Sequence, residues 1–177
     1  NRNLLEQVND TREGQWPFAT VLSCIDSRTS AELIFDQGLG DIFSIRIAGN
    51  FANQDILGSM EFACNVAGSK LVVVLGHTKC GALKGGLDAP QIEGLGMDNL
   101  NHLIYHFEPC IQEIIKEGEE RSSKNEDLLD RLTLCNIQKT IEDIRHQSST
   151  LRNLEKEGKI KIVGANYDVE TGVVTWL

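Results

Sequence analysis

"KLVVVLGHTKCG", residues 70–81, decides how this chain folds. After Lys70 comes a short apolar run rich in β-branched valine and closed by Gly76, which predicts a buried strand. The polar "HTKCG" behind it predicts a turn from that strand into a helix. Similar short runs recur at "FATVLS" (18–23), "IFSIRI" (42–47) and "KIKIVGANYDV" (159–169), and "TGVVTWL" (171–177) completes a terminal hairpin. Helical patterning lies between them. Residues 27–37 carry Ala31, Leu33, Ile34 and Phe35, and residues 53–67 place Ile56, Leu57, Met60, Ala63 and Val66 along one face. A longer helical stretch runs from about Asp98 to Ile144, interrupted near Gly118 and the polar "RSSKNED". Alternation of this kind predicts an α/β fold: a single domain with a mostly parallel central sheet of about four to five strands, flanked by helices and built from right-handed βαβ units.

Composition bounds the function. The chain has 177 residues, 41% of them apolar, enough for one domain with its own core. Seventeen basic against 26 acidic side chains give a formal charge of −9, which argues against phosphate backbones or anionic membranes as partners. The apolar run at 71–76 falls far short of a membrane span. The five cysteines (24, 64, 80, 110, 135) form an odd, scattered set. That usage fits a reducing compartment better than a disulfide framework and predicts a cytoplasmic protein. Cys64, Cys110 and Cys135 then read as small buried hydrophobes. The chain begins at Asn1 rather than methionine, which leaves an organellar or exported form open.

Ligands of open parallel sheets bind beyond the carboxyl ends of the strands, where the strand order reverses. Cys24 stands at the end of the first strand and His77 at the end of the third. If those strands are neighbours, their side chains converge, and Cys80 follows on the same turn as His77. A Cys2His set is one of the known catalytic zinc constellations, and three protein ligands leave a fourth position open. Other uses of Cys24 fit less well. A phosphatase-like thiolate wants a longer, glycine-rich anion loop before its arginine, a thioredoxin-like site needs Cys-x-x-Cys, and a Cys24–Cys80 disulfide leaves His77 without a role. H-x-x-C alone recurs by chance; coupled to a second strand-end cysteine with Asp26 and Arg28 attached, it becomes far more specific.

"SCIDSR", "SIRIAGN" and "LGHTKCGA", in this order, resemble the signature segments of the beta-class carbonic anhydrases, and the likeness runs from Gln15 through Ala82. The resemblance implies reversible hydration of CO2 to bicarbonate and a proton by zinc-bound hydroxide. It assigns one Zn2+ per chain to Cys24, His77 and Cys80, and a catalytic dyad to Asp26 and Arg28. The arginine holds the carboxylate in a bidentate pair, which keeps it off the metal and free to orient the nucleophile. Gln15 corresponds to a residue that donates a hydrogen bond to substrate, and Gly81 presents a backbone N–H toward the pocket. Phe43, Ala48 and Phe62 fall where the family lines an apolar CO2 site, partly across a subunit interface. Ala48 is smaller than the usual valine.

Arg46 and Asn50 read as structural, with Arg46 closing an interface pair. Members regulated by bicarbonate tend to carry tryptophan three residues before the first ligand, so Val21 implies a constitutively open site. The resemblance also implies a homodimer or a dimer of dimers, although the short stretch before Gln15 puts a helical arm and a tetramer in question. The expected organisation is one domain over 1–177: an arm (1–14), the zinc-site core (15–97), a helical segment (98–147) and the C-terminal strands (159–177). Two other uses of the same site stay open: hydrolysis of carbon disulfide, or a non-catalytic zinc-bearing sensing subunit whose fourth position Asp26 closes. His102 and His106, four apart on one helical face, read as solvated or partly packed, and His146 beside Arg145 as favourable charge at a helix C-terminus.

Overall fold

A computed structural model describes residues 3–92 and 96–177. Five strands, β1 (Ala19–Ser23), β2 (Ile42–Arg46), β3 (Leu71–His77), β4 (Lys161–Tyr167) and β5 (Val174–Trp176), form one sheet in the order β2-β1-β3-β4-β5. The first four are parallel, and β5 returns antiparallel to β4 as the expected hairpin. From β1 the chain crosses outward to β2, then back past β1 to β3. The carboxyl ends of β1 and β3 therefore lie side by side at a switch point.

Side chains alternate across the sheet with the period of a strand. Leu22, Val72, Val74 and Ile162 face one layer, where they meet Ile56, Leu57 and Met60 of α3 (Gln54–Glu61) and Ile137, Ile141 and Ile144 of α8 (Glu126–Gln147). Val21, Val73, Leu75 and Ala165 face the other, under Ala31 of α2 (Ala31–Ile34), Phe35 and Tyr167. A third cluster, with Cys24, Cys80, Leu83, Phe107, Ile111 and Leu132, caps the strand ends. It is built by α4 (Gly81–Leu87), α7 (Glu108–Ile114) and α8.

The 22-residue α8 is the principal brace. Asn125 caps it, accepting from the Leu128 amide, with Glu126 and Asp127 in the first turn and Arg145 and His146 in the last, where charge suits the helix dipole. It seats closely because Gly76 and Gly164 lie beneath Ile137. A Cβ on either glycine would come within 2.6 or 2.7 Å of that side chain.

The remaining helices are α1 (Leu4–Thr11), α5 (Ala89–Ile92), α6 (Asp98–Ile104) and α9 (Ser149–Lys156). The arm, questioned on length, does form a helix, capped by Asn3 and leaving Leu4, Leu5 and Val8 exposed. Three expectations are corrected. Within the stretch from Asp98 to Ile144, the expected interruption near Gly118 and "RSSKNED" is the loop 115–125 before α8, but a further break, a 3-10 turn (Tyr105–Phe107), separates α6 from α7, where Pro109 fits the first turn. The helix over 27–37 shrinks to one turn, since the Cys24 and Asp26 carbonyls bond Thr29 and Arg46 instead of continuing a helix. Cys110 and Cys135 are also not separate buried thiols: a disulfide joins α7 to α8 through them, and their separation of 25 positions gives no sign of it. No helix among the described residues is long and apolar enough to cross a membrane.

Gly49 ends the turn that follows β2. Its φ is +79°, and a Cβ there would meet the Phe107 ring at 2.2 Å. Gly49→Ala is expected to destabilise the fold by about 2–4 kcal/mol, from left-handed backbone strain plus overpacking. Chemical denaturation measures this, and an unchanged midpoint would contradict it.

Candidate metal centre

Three buried side chains converge at the switch point. One ligand atom from each of Cys24, His77 and Cys80 lies within 4.8 Å of the others, and the two sulfurs are 3.9 Å apart. The three residues are 3%, 1% and 0% exposed, so the cluster is buried within this chain. Cys24 leaves β1, His77 ends β3, and Cys80 starts α4, with Lys79 between them in a left-handed conformation (φ 57°) that turns the chain back.

The donor set fits a soft divalent cation. The His77 Nδ1 is 2.8 Å from the Thr78 carbonyl oxygen, which fixes the proton on that nitrogen. The other ring nitrogen, Nε2, is buried without a hydrogen-bond partner and presents a bare lone pair to the cluster. A buried polar atom left this way costs free energy unless something occupies its lone pair. The thiols share a proton unevenly. A hydrogen bond from Cys80 pulls Cys24 well below the usual thiol range, helped by the Gly49 amide, while the same partnership and burial push Cys80 far up. One thiolate thus forms readily and the second does not, as expected of a site awaiting a cation's charge. Among the described residues no other group of three or more such side chains converges.

Asp26 and Arg28 stand on the same loop. Asp26 Oδ1 accepts from the Arg28 amide at 3.0 Å and from Nε at 2.9 Å, and Oδ2 accepts from Nη2 at 2.7 Å. This bidentate contact, more than any other influence, holds the carboxyl well below the usual carboxylate range. The Asp26 oxygens are not part of the converging set. Arg46 braces this loop from β2 within the chain. Its Nε donates to the Cys24 carbonyl at 2.8 Å and its Nη2 to the Asp26 carbonyl at 2.6 Å. Thr29 binds the same two carbonyls through its hydroxyl. Asn50, read as structural, is buried at φ 43°, and its amide closes the turn onto the Ile47 carbonyl at 3.0 Å.

The remaining candidates lie around this centre. Gly81, the first residue of α4, directly follows Cys80 and is exposed. Gln15 is exposed in the connection between α1 and β1, and Ala48 is half-buried in the turn before Gly49. Phe43 and Phe62 meet edge to face at 6.5 Å on the wall of an open groove of about 1180 Å³ that also includes Arg46. Phe62 begins a π-helical turn (Phe62–Val66) that extends α3 and holds it outward, 53% exposed. Cys64, on the same turn, is buried, and burial pushes its thiol up to about 11, as an inert packing residue should behave. His102 and His106 contact each other edge to face, and His106 stacks on Phe51 with centroids 4.1 Å apart.

Arg46, Thr29 and Gly49 thus join the candidates as supports. Arg46 and Gly49 carry a sequence signal, as the arginine and glycine of "RIAGN"; Thr29 carries none.

Comparison with known proteins agrees with this geometry. A family model described as carbonic anhydrase matches residues 19–174. Carbonic anhydrase 2 of Mycobacterium tuberculosis is 33% identical over 159 residues, covering 90% of this chain and 73% of the relative. A carbonic anhydrase of Mycolicibacterium smegmatis is 32% identical over 170 residues, covering 96% and 79%. Among solved structures, the beta-carbonic anhydrase CafA of Aspergillus fumigatus superposes with a TM-score of 0.84 at 26% identity, over 98% of this chain and 81% of that one. A parallel sheet with its switch point between β1 and β3, a buried Cys-His-Cys cluster there, and a family match over most of the chain lead to one conclusion: this protein belongs to the carbonic anhydrases, in their beta class.

Proposed function

We propose that this chain hydrates CO2 reversibly to bicarbonate and a proton, at one zinc ion held by Cys24, His77 and Cys80. The observation that carries this reading is the buried convergence of two sulfurs with an imidazole nitrogen that has no other partner. When bound, zinc lowers the pKa of a coordinated water toward neutrality and so supplies hydroxide as the nucleophile. Asp26 orients it. Oδ1 already accepts two hydrogen bonds from Arg28 and Oδ2 only one, so Oδ2 retains an acceptor site for the nucleophile's remaining proton. Accepting that hydrogen bond, Asp26 would orient the nucleophile toward CO2. Held far below the usual range, Asp26 does not take the proton itself, and the proton released in each turnover leaves to solvent or buffer.

Arg28 acts as the gate by keeping the carboxylate turned away from the metal. Arg46 and Thr29 fix the backbone between Cys24 and Asp26, so ligand and acceptor hold their separation. Gln15 and the Gly81 amide bind bicarbonate oxygens, and Phe43, Ala48 and Phe62 provide the apolar surface for CO2. The outward position of Phe62 supports its delivery to the site of a second copy, as does the exposure of Leu4, Leu5, Val8 and Trp16, and the protein works as a homodimer or a dimer of dimers.

Stopped-flow CO2 hydration, with zinc quantified on the same sample, tests the reading. Fast hydration at stoichiometric zinc is expected. Slow hydration with sulfide release from carbon disulfide, or full zinc with neither activity, would contradict it. Cys24 and Cys80 bring two negative charges that formally cancel the cation's, so the coordinated water is less acidified than among three imidazoles. Turnover should therefore rise from pH 6 to pH 9. Asp26 is ionised throughout that window and adds no limb of its own. A flat profile would be the contrary result.

A further inference from the structure

Asn136 interrupts the apolar stripe of α8 and reaches out of its own helix. It is 5% exposed, and its Nδ2 donates to the Gly49 carbonyl oxygen at 2.8 Å. The amide of that same glycine donates to Cys24 Sγ at 3.3 Å. Gly49 must be glycine, because its φ is +79° and Phe107 fills the space a Cβ would need. Glycine is also the residue whose backbone is least constrained by its own structure. The direction of its N–H is therefore imposed from outside, by Asn136 on the carbonyl side and by Phe107 over the Cα.

Both constraints come from one rigid pair of helices. Phe107 immediately precedes α7, and Cys135, next to Asn136, is joined to Cys110 of α7. We propose that Asn136 is a positioning residue for the metal centre. Acting through the Gly49 backbone, it pins the 49–50 peptide on one side of the Cα and so settles the glycine's conformation and the direction of the N–H on the other side. That N–H points at the Cys24 sulfur and fixes the thiolate's orientation, with the Cys110–Cys135 bridge holding Asn136's turn of α8 in place. The proposal rests on reading Cys24 as a metal ligand. Hydrogen bonds to ligating atoms tune both affinity and electronic character, and losing such a partner typically costs about 10–100-fold in metal affinity.

The test loads the protein with Co2+ and records the thiolate-to-cobalt charge-transfer band. In parallel, a chromophoric chelator strips zinc from the zinc-loaded protein. Asn136→Leu keeps the volume and removes the donor. It should shift the band and release zinc roughly 10–100-fold faster. Thr133→Val is the control: Thr133 lies on the same buried stripe, and its hydroxyl donates within α8, to the Leu129 carbonyl. It should leave the band and the release rate as in the parent protein.

A folded Asn136→Leu protein with the parental band and release rate would overturn the proposal. So would equal changes in the Thr133→Val control. Should Asn136→Leu not fold, selective reduction of the Cys110–Cys135 bridge in the metal-loaded parent is expected to move both readouts in the same direction, and no movement would overturn the proposal. A parent protein that takes up cobalt with no thiolate band would instead refute the metal reading, and the positioning role with it.

Discussion

Removing the Arg28 side chain is expected to lower CO2 hydration at neutral pH by roughly 10–100-fold while zinc stays near one per chain. The expectation follows from how much of Asp26 this arginine occupies. Three of the hydrogen bonds that Asp26 accepts come from Arg28, two of them from the guanidinium. In Arg28→Ala only the backbone amide remains. The carboxylate is then free to rotate, and a free carboxylate two residues from Cys24 is a competent zinc ligand. It would compete for the position that the nucleophile needs. Turnover falls because the site is closed for part of the time, while metal binding, which depends on the other three side chains, does not. Arg28→Lys should recover only part of the loss, because an ammonium supplies charge without the bidentate fork. Steady-state hydration alongside metal analysis checks both variants, and normal turnover in Arg28→Ala would refute the gate.

Cys80→Ser should have the larger effect. The substitution is nearly isosteric at a fully buried position, so packing of the strand-end cluster changes little and the loss falls on the metal. Structural zinc sites bind with about 10–16 kcal/mol, so one of four ligands accounts for roughly 2.5–4 kcal/mol, about two to three orders of magnitude in affinity. Zinc measured after dialysis should drop well below one per chain, and hydration should approach the uncatalysed rate. Circular dichroism should show the parental secondary structure, which separates loss of metal from loss of fold. A variant that retains stoichiometric zinc and parental activity would exclude Cys80 as a ligand.

The candidate centre was legible because its side chains sit at strand ends. Cys24 and His77 each end an apolar run, and parallel topology collects such ends at one edge of the sheet. Their convergence needed one condition that the residues alone did not supply, that β1 and β3 be neighbours, and the strand order meets it. Asp26 and Arg28 were legible for a different reason: they pair within three residues, so no tertiary information was needed.

What stayed hidden works through the backbone. Arg46 bonds two carbonyl oxygens, and a carbonyl carries no residue identity, so nothing in "RIAGN" tells its partners. Asn136 reaches Gly49 across 87 positions of sequence. The disulfide joins two helices whose facing turns follow only from tertiary packing. The short helix after Cys24 and the break between α6 and α7 escape the sequence for a related cause, whereas Gly118 and the polar "RSSKNED" mark the break before α8. Apolar periodicity reports which face is buried, and it does not report where local hydrogen bonds interrupt the helix.

The account's central claim is tested most directly by X-ray absorption at the zinc edge on the purified protein, with metal content measured on the same sample. One zinc per chain, surrounded by two sulfurs and an imidazole nitrogen with one light atom completing the shell, is the predicted result. A chain that carries no stoichiometric zinc, or a shell with any other number of sulfurs, would contradict it.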